Sequence, residues 1–161
     1  MKGKKNQNNK FMAEAIKLSF EMMRANKSGP FGAVVVKNSI VIANGFNKVT
    51  SANDPTAHAE IVAIREACRK LKTFQLAGCE LYTSCEPCPM CLGAIYWARP
   101  DKVYYANTKE DASRIGFDDH FIYQELGKPL GERKLKISQI MRKEALGAFK
   151  EWEEKTDKVQ Y

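Results

Sequence analysis

The side chains able to do chemistry lie mostly in two short stretches. Residues 55–60 read Pro-Thr-Ala-His-Ala-Glu, and residues 85–91 read Cys-Glu-Pro-Cys-Pro-Met-Cys. They supply one imidazole (His58), a carboxylate two residues further on (Glu60), and two thiols three apart (Cys88 and Cys91). One imidazole and two thiolates are three ligands for a tetrahedral Zn²⁺, with the fourth position left to water. A metal so held lowers the pKa of its water to ~7 and provides a nucleophile at neutral pH. Glu60 then fits the part of proton carrier, because a bound hydroxide needs a base beside it rather than a fourth ligand. One zinc per chain follows from this count. Alone, His58 would more often be a capping or core histidine; its company makes it a ligand. Cys85 leaves a second reading open. With His58, Cys88 and Cys91 it could close a structural four-ligand zinc site that has no room for a nucleophile. An iron–sulfur site lacks its fourth cysteine, since Ile95 stands at that spacing. Cys85 falls before the helix that aligns the other two thiols, which favours a packing role beneath the site.

The elements that must position these groups can be read from periodicity and breakers. Asn53-Asp54-Pro55-Thr56 is helix-starting chemistry, and Ile61, Ile64, Cys68 and Leu71 mark a buried stripe to about residue 72. His58 and Glu60 therefore fall in the first turn of that helix. Pro89 suits the first turn of a second helix, to residue 98, which sets Cys88 and Cys91 on one face. Two helix N-termini thus converge on the metal and favour thiolate over thiol. Upstream, an amphipathic helix is predicted over 11–25, then a β-hairpin over 31–36 and 40–44 with a turn at 37–39. Strands are predicted over 80–84 and 103–106, with a last one over 135–141; residues 107–131 read as loop with short helical pieces, and 145–158 as a final helix. Strands alternating with helices make an α/β sandwich.

Composition bounds the rest. The chain has 161 residues, enough for one domain with its own core, and a net charge of +7. Lys2, Lys4, Lys5 and Lys10 fall among the first ten residues, which contain no acid; the remainder carries 22 basic against 19 acidic residues, or +3. That is a weakly basic domain behind a basic, unpatterned tail expected to be disordered over 1–10, and it argues against a nucleic-acid footprint. No apolar run reaches the ~18 residues of a membrane span, and no apolar stretch follows the N-terminal lysines as a secretory signal requires. Five cysteines, three of them in one motif, point to metal chemistry in a reducing compartment, with the cytoplasm as the default. Cys68 and Cys79 read as core thiols and His120 as a surface or rim residue.

The His-x-Glu and Pro-Cys-x-x-Cys pieces together match the signature of zinc-dependent base deaminases. From about residue 11 onward the chain resembles the cytidine/deoxycytidylate deaminase family through HAEIVAIREAC, YTSCEPCPMCLGAIYWARP, IGFDD (115–119) and the closing Tyr161. The last two features resemble the branch that acts on guanine. The resemblance implies a three-layer α/β/α sandwich around a mixed five-stranded sheet, with 11–161 as one deaminase domain. It implies hydrolysis of guanine to xanthine and ammonia, with Glu60 and Asp119 moving protons. Phe31, Trp97 and Phe117 would by default be core; a flat purine is held by such aromatic walls with few polar groups. By the same resemblance Asn47 reads the base edge, for which it has both a donor and an acceptor, and the Ala59 backbone adds a contact. It further implies a homodimer that exchanges C-terminal segments, so that Tyr161 closes the partner's pocket. Three other readings remain: a guanosine deaminase, a tRNA adenosine deaminase, and a zinc-stabilised binding module without catalysis.

Overall fold

The computed structural model describes residues 2–160, with side chains from residue 6 onward. Two compact units divide it, residues 1–120 and 121–161.

The first unit opens with α1 (Lys2–Arg24). This helix starts well ahead of the boundary that composition suggests at residue 11. Tertiary contacts hold the stretch around residues 8–11: the Tyr82 hydroxyl donates to Asn8 Oδ1 at 3.0 Å, and the Phe11 ring lies 5.4 Å from that of Tyr82. The expected hairpin follows as β1 (Gly32–Lys37) and β2 (Ile40–Phe46), paired antiparallel. Its turn residues Asn38 and Ser39 both have positive φ (49° and 65°), as a two-residue turn matched to strand twist requires. A single turn, α2 (Val49–Ala52), precedes α3 (Ala59–Leu71). Then come β3 (Cys79–Cys85), α4 (Pro89–Ala98), β4 (Lys102–Asn107) and α5 (Lys109–Arg114).

The sheet has the order β2-β1-β3-β4 and is mixed, because β3 pairs antiparallel with β1 and parallel with β4. Side chains alternate across it with a period of two. Val34, Val36 and Tyr82 meet Phe11 and Ala15 of α1 on one face. On the other, Ala33, Val35 and Leu81 meet Ala59, Ala63, Ile64 and Ala67 of α3 and Ile95 and Ala98 of α4. These are the three layers expected. Two glycines let the layers close: a Cβ at Gly32 would lie 2.4 Å from the Ala15 carbonyl oxygen, and one at Gly45 would lie 2.2 Å from that of Ala59.

The expectation of five strands is corrected to four. The fifth was the stretch 135–141, whose backbone runs as bends and coil without a ladder partner. Its apolar side chains are exposed, Leu135 by 72% and Ile140 by 79%, so neither pairing nor burial holds it as a strand. It belongs to the second unit, along with a 3₁₀ turn (Leu130–Glu132) and α7 (Arg142–Glu154); α6 (His120–Leu126) straddles the boundary. Within that unit Arg133 donates to the carbonyl oxygens of Lys128 and Leu126, closing the chain on itself. No described helix is long and apolar enough to cross a membrane.

Candidate active site

His58 caps α3 and Cys88 caps α4, both with extended backbone, so each stands one position before its helix rather than in the first turn. Pro89 occupies the first turn of α4, where its missing N–H costs nothing. This brings His58 Nδ1 to 3.5 Å from both Cys88 Sγ and Cys91 Sγ. The three ligand atoms all lie within 4.8 Å of one another, and their donor set suits zinc. The neighbouring Cys91 thiol brings Cys88 down to about 4, while that interaction and burial hold Cys91 well above the usual thiol range. The thiolate on Cys88 in turn raises His58.

Glu60, in the first turn of α3, is 6% exposed. Burial pushes its carboxyl above the ordinary range. The Thr83 hydroxyl donates to its Oε1 at 3.1 Å, and its Oε2 lies 3.5 Å from Cys91 Sγ. Ala59, fully buried between His58 and Glu60, is the first residue of α3, and its N–H is among those a helix leaves without an internal partner.

Of the other singled-out residues, Asp119 and Cys85 lie within electrostatic reach of this centre, while Asn47 and the Phe31–Phe117 pair are set by contacts of their own. Asn47 directly follows β2; its side-chain carbonyl accepts from the Val49 N–H at 3.0 Å, which fixes the orientation of the amide. Phe31 and Phe117 meet edge to face with ring centroids 4.8 Å apart. Asp119 is half-buried, and burial followed by the Cys88 charge raises its carboxyl, which places it within electrostatic reach of the two cap residues. Cys85 is buried at the end of β3; its thiol donates to the Thr108 carbonyl at 3.6 Å, and burial pushes it up to about 11. It thereby ties β3 to the start of the segment that carries Phe117 and Asp119. Trp97 is not gathered in: it lies eight residues along α4 from Pro89, about 12 Å of helix rise, and is 64% exposed. Tyr161 lies outside the described residues.

Two participants escape a reading by residue type alone. Thr83 looks like an ordinary strand threonine, and Gly29 like a simple breaker. A Cβ at Gly29 would lie 3.1 Å from the Phe117 ring, so a side chain there would crowd the Phe31–Phe117 pair.

Water activated at such a centre, with a carboxylate to move its proton, is how zinc deaminases exchange an exocyclic amine for oxygen. Descent agrees: residues 5–107 match the cytidine and deoxycytidylate deaminase zinc-binding region, and the chain belongs to that family. The guanine deaminase of Bacillus subtilis is 53% identical over 94% of this chain and 97% of its own length. The crystal structure of that enzyme matches with a TM-score of 0.93 over 95% of this chain and 98% of its own. A guanine deaminase from Nitrosomonas europaea matches at 36% identity and a TM-score of 0.65, over 68% of this chain and 64% of its own. A tRNA-specific adenosine deaminase of Buchnera aphidicola is 36% identical over 88% of this chain and 90% of its own length.

Proposed function

We propose that this chain hydrolyses guanine to xanthine and ammonia. The observation that carries the reading is the extent of the match to the Bacillus subtilis guanine deaminase, which covers nearly the whole of both chains and continues past the zinc-binding region that ends at residue 107. The tRNA adenosine deaminase matches less strongly.

In this reading His58, Cys88 and Cys91 hold one Zn²⁺, which supplies a hydroxide-like nucleophile at neutral pH. Phe31 and Phe117 pack on the purine ring, and Asn47 with the Ala59 backbone fixes the base edge; Trp97, exposed and far along α4, takes no part. Glu60 accepts the proton of the attacking water and delivers it to the ring nitrogen beside C2, which makes that carbon electrophilic. The water oxygen bonds to C2. Asp119 helps move the second proton to the exocyclic nitrogen, the C2–N bond breaks, and ammonia leaves. One water enters, one ammonia departs, and xanthine remains.

The wider proposal is an enzyme of purine breakdown or salvage in the cytoplasm, with residues 11–161 acting as one deaminase domain. Its five cysteines beside a thiolate metal site suit a reducing compartment. It acts as a homodimer that exchanges C-terminal segments, and Tyr161 of one protomer closes the pocket of its partner. Exposed apolar side chains in the second unit, including Leu135, Ile140 and Phe149 (74%), support a covered state for that segment.

Ammonia release from guanine, guanosine, adenine, cytosine and tRNA tests the substrate. Guanine alone should react at a high rate. A chain that spares guanine and deaminates guanosine or tRNA adenosine overturns the reading.

A further inference from the structure

We propose that Thr83 is a positioning residue for Glu60: its hydroxyl pins one carboxylate oxygen so that the other faces the metal ligands. The inference rests on the reading of Glu60 as proton carrier and extends it to a residue two positions before the Cys85–Cys91 stretch.

The strand pleat motivates it. Leu81, Thr83 and Cys85 follow one another on the face of β3 that meets α3 and α4, and Leu81 belongs to the apolar cluster there. Thr83 is 2% exposed, with Ala33 across from it on β1 and Tyr105 on β4. Valine has nearly the same shape and would serve packing in that place, whereas a buried hydroxyl is costly unless it is hydrogen-bonded. The bond it makes goes to Glu60 Oε1 at 3.1 Å, bridging 23 residues of sequence from strand to helix. Glu60 Oε2 lies on the Cys91 side, 3.5 Å from its sulfur. The two oxygens are thus divided: one is anchored to the sheet, and the other is presented to the place where a proton must be exchanged. A glutamate has three side-chain torsions, and a proton carrier works only from a narrow range of positions. An anchor on β3, a buried strand paired along both edges, holds it there.

The test compares Thr83→Val and Thr83→Ser with wild type in the zinc-loaded protein. Thr83→Val should lower kcat by about 10- to 100-fold, the loss expected for one hydrogen bond to a charged group. Zinc content, melting temperature, KM and the dissociation constant for xanthine should stay near wild type. Thr83→Ser keeps the donor and should recover most of the lost kcat. Added to Glu60→Gln, the valine change should alter the residual rate by no more than about 2-fold, because the two act as one unit. A Thr83→Val enzyme with wild-type kcat overturns the proposal. So does one whose kcat falls only in step with zinc or folding, and so does a serine variant as impaired as the valine. If wild type leaves guanine untouched, the substrate reading fails alone, and the same comparison runs on the base that does react.

Discussion

At the residue scale the ligand trio and the carboxylate beside it have separable jobs. Cys88→Ala or Cys91→Ala removes a sulfur from a three-ligand set, and each should lose both zinc and activity. Cys85→Ala removes only a thiol that donates to the Thr108 carbonyl, and it should keep most of its zinc; metal analysis of the purified variants checks this. An emptied site in Cys85→Ala would instead restore the closed four-ligand arrangement. Glu60→Gln preserves size and can still accept from Thr83, but it cannot carry a proton. Turnover should fall by about 10²–10⁴ while zinc and purine binding persist, and near-normal turnover would mean that another group is the base. Acid acts on the same atoms in a defined direction. Protons compete with the metal for two sulfurs and one imidazole, so zinc content after equilibration should fall with falling pH, and reloading near neutrality should release protons. The trio was legible in the sequence because its types and spacings have few other uses. Thr83 was not, because nothing in a threonine between Tyr82 and Ser84 says that it faces a carboxylate 23 residues away.

At the element scale the site depends on where two helices begin, and their packing against the sheet sets that. Gly45 is the point of closest approach: an added Cβ would lie 2.2 Å from the Ala59 carbonyl oxygen and 2.5 Å from the Ala63 nitrogen, both backbone atoms of α3. Gly45→Ala must push β2 and α3 apart, at an overpacking cost of roughly 1–3 kcal/mol. The variant should melt lower and bind zinc more weakly, because the displaced end of α3 carries His58 and Glu60. Wild-type values for both in thermal melts and zinc titrations would show that the contact can give. The hairpin, α3 and α4 were legible because breakers and periodicity agree there, as at Pro89 and along Ile61, Ile64 and Cys68. The 135–141 stretch misleads by the same rule. Its apolar residues suggest a strand, but strand formation needs a ladder partner, and sequence pattern does not supply one. The start of α1 was hidden because its anchor, Asn8 to Tyr82, spans 74 residues.

At the scale of the whole molecule the proposed dimer makes a prediction about complementation. If C-terminal segments are exchanged, Glu60→Gln with an intact tail and a chain lacking Tyr161 are each inactive alone but complementary. Half of randomly re-paired dimers are mixed, and each has one sound pocket, so equal amounts should recover up to about a quarter of the sites. A tail that folds back on its own chain gives no sound pocket in any pairing. The measurement is guanine turnover after subunit exchange has been verified with a tagged partner, and no recovery then rules out the exchanged arrangement.

The enclosure of β3 has a consequence for how the protein comes apart. Both edges of this strand are paired, α1 covers one face, and α3 and α4 cover the other. Amides so placed exchange with deuterium only when the entire unit opens, whereas exposed segments such as that carrying Ile115 (59%) and Phe117 (46%) exchange through local excursions. The Thr83 anchor on β3 therefore belongs to the last part to yield, and the segment of Phe117, proposed to clasp the ring, to the first. Warming should loosen the hold on the base well before it disturbs the metal.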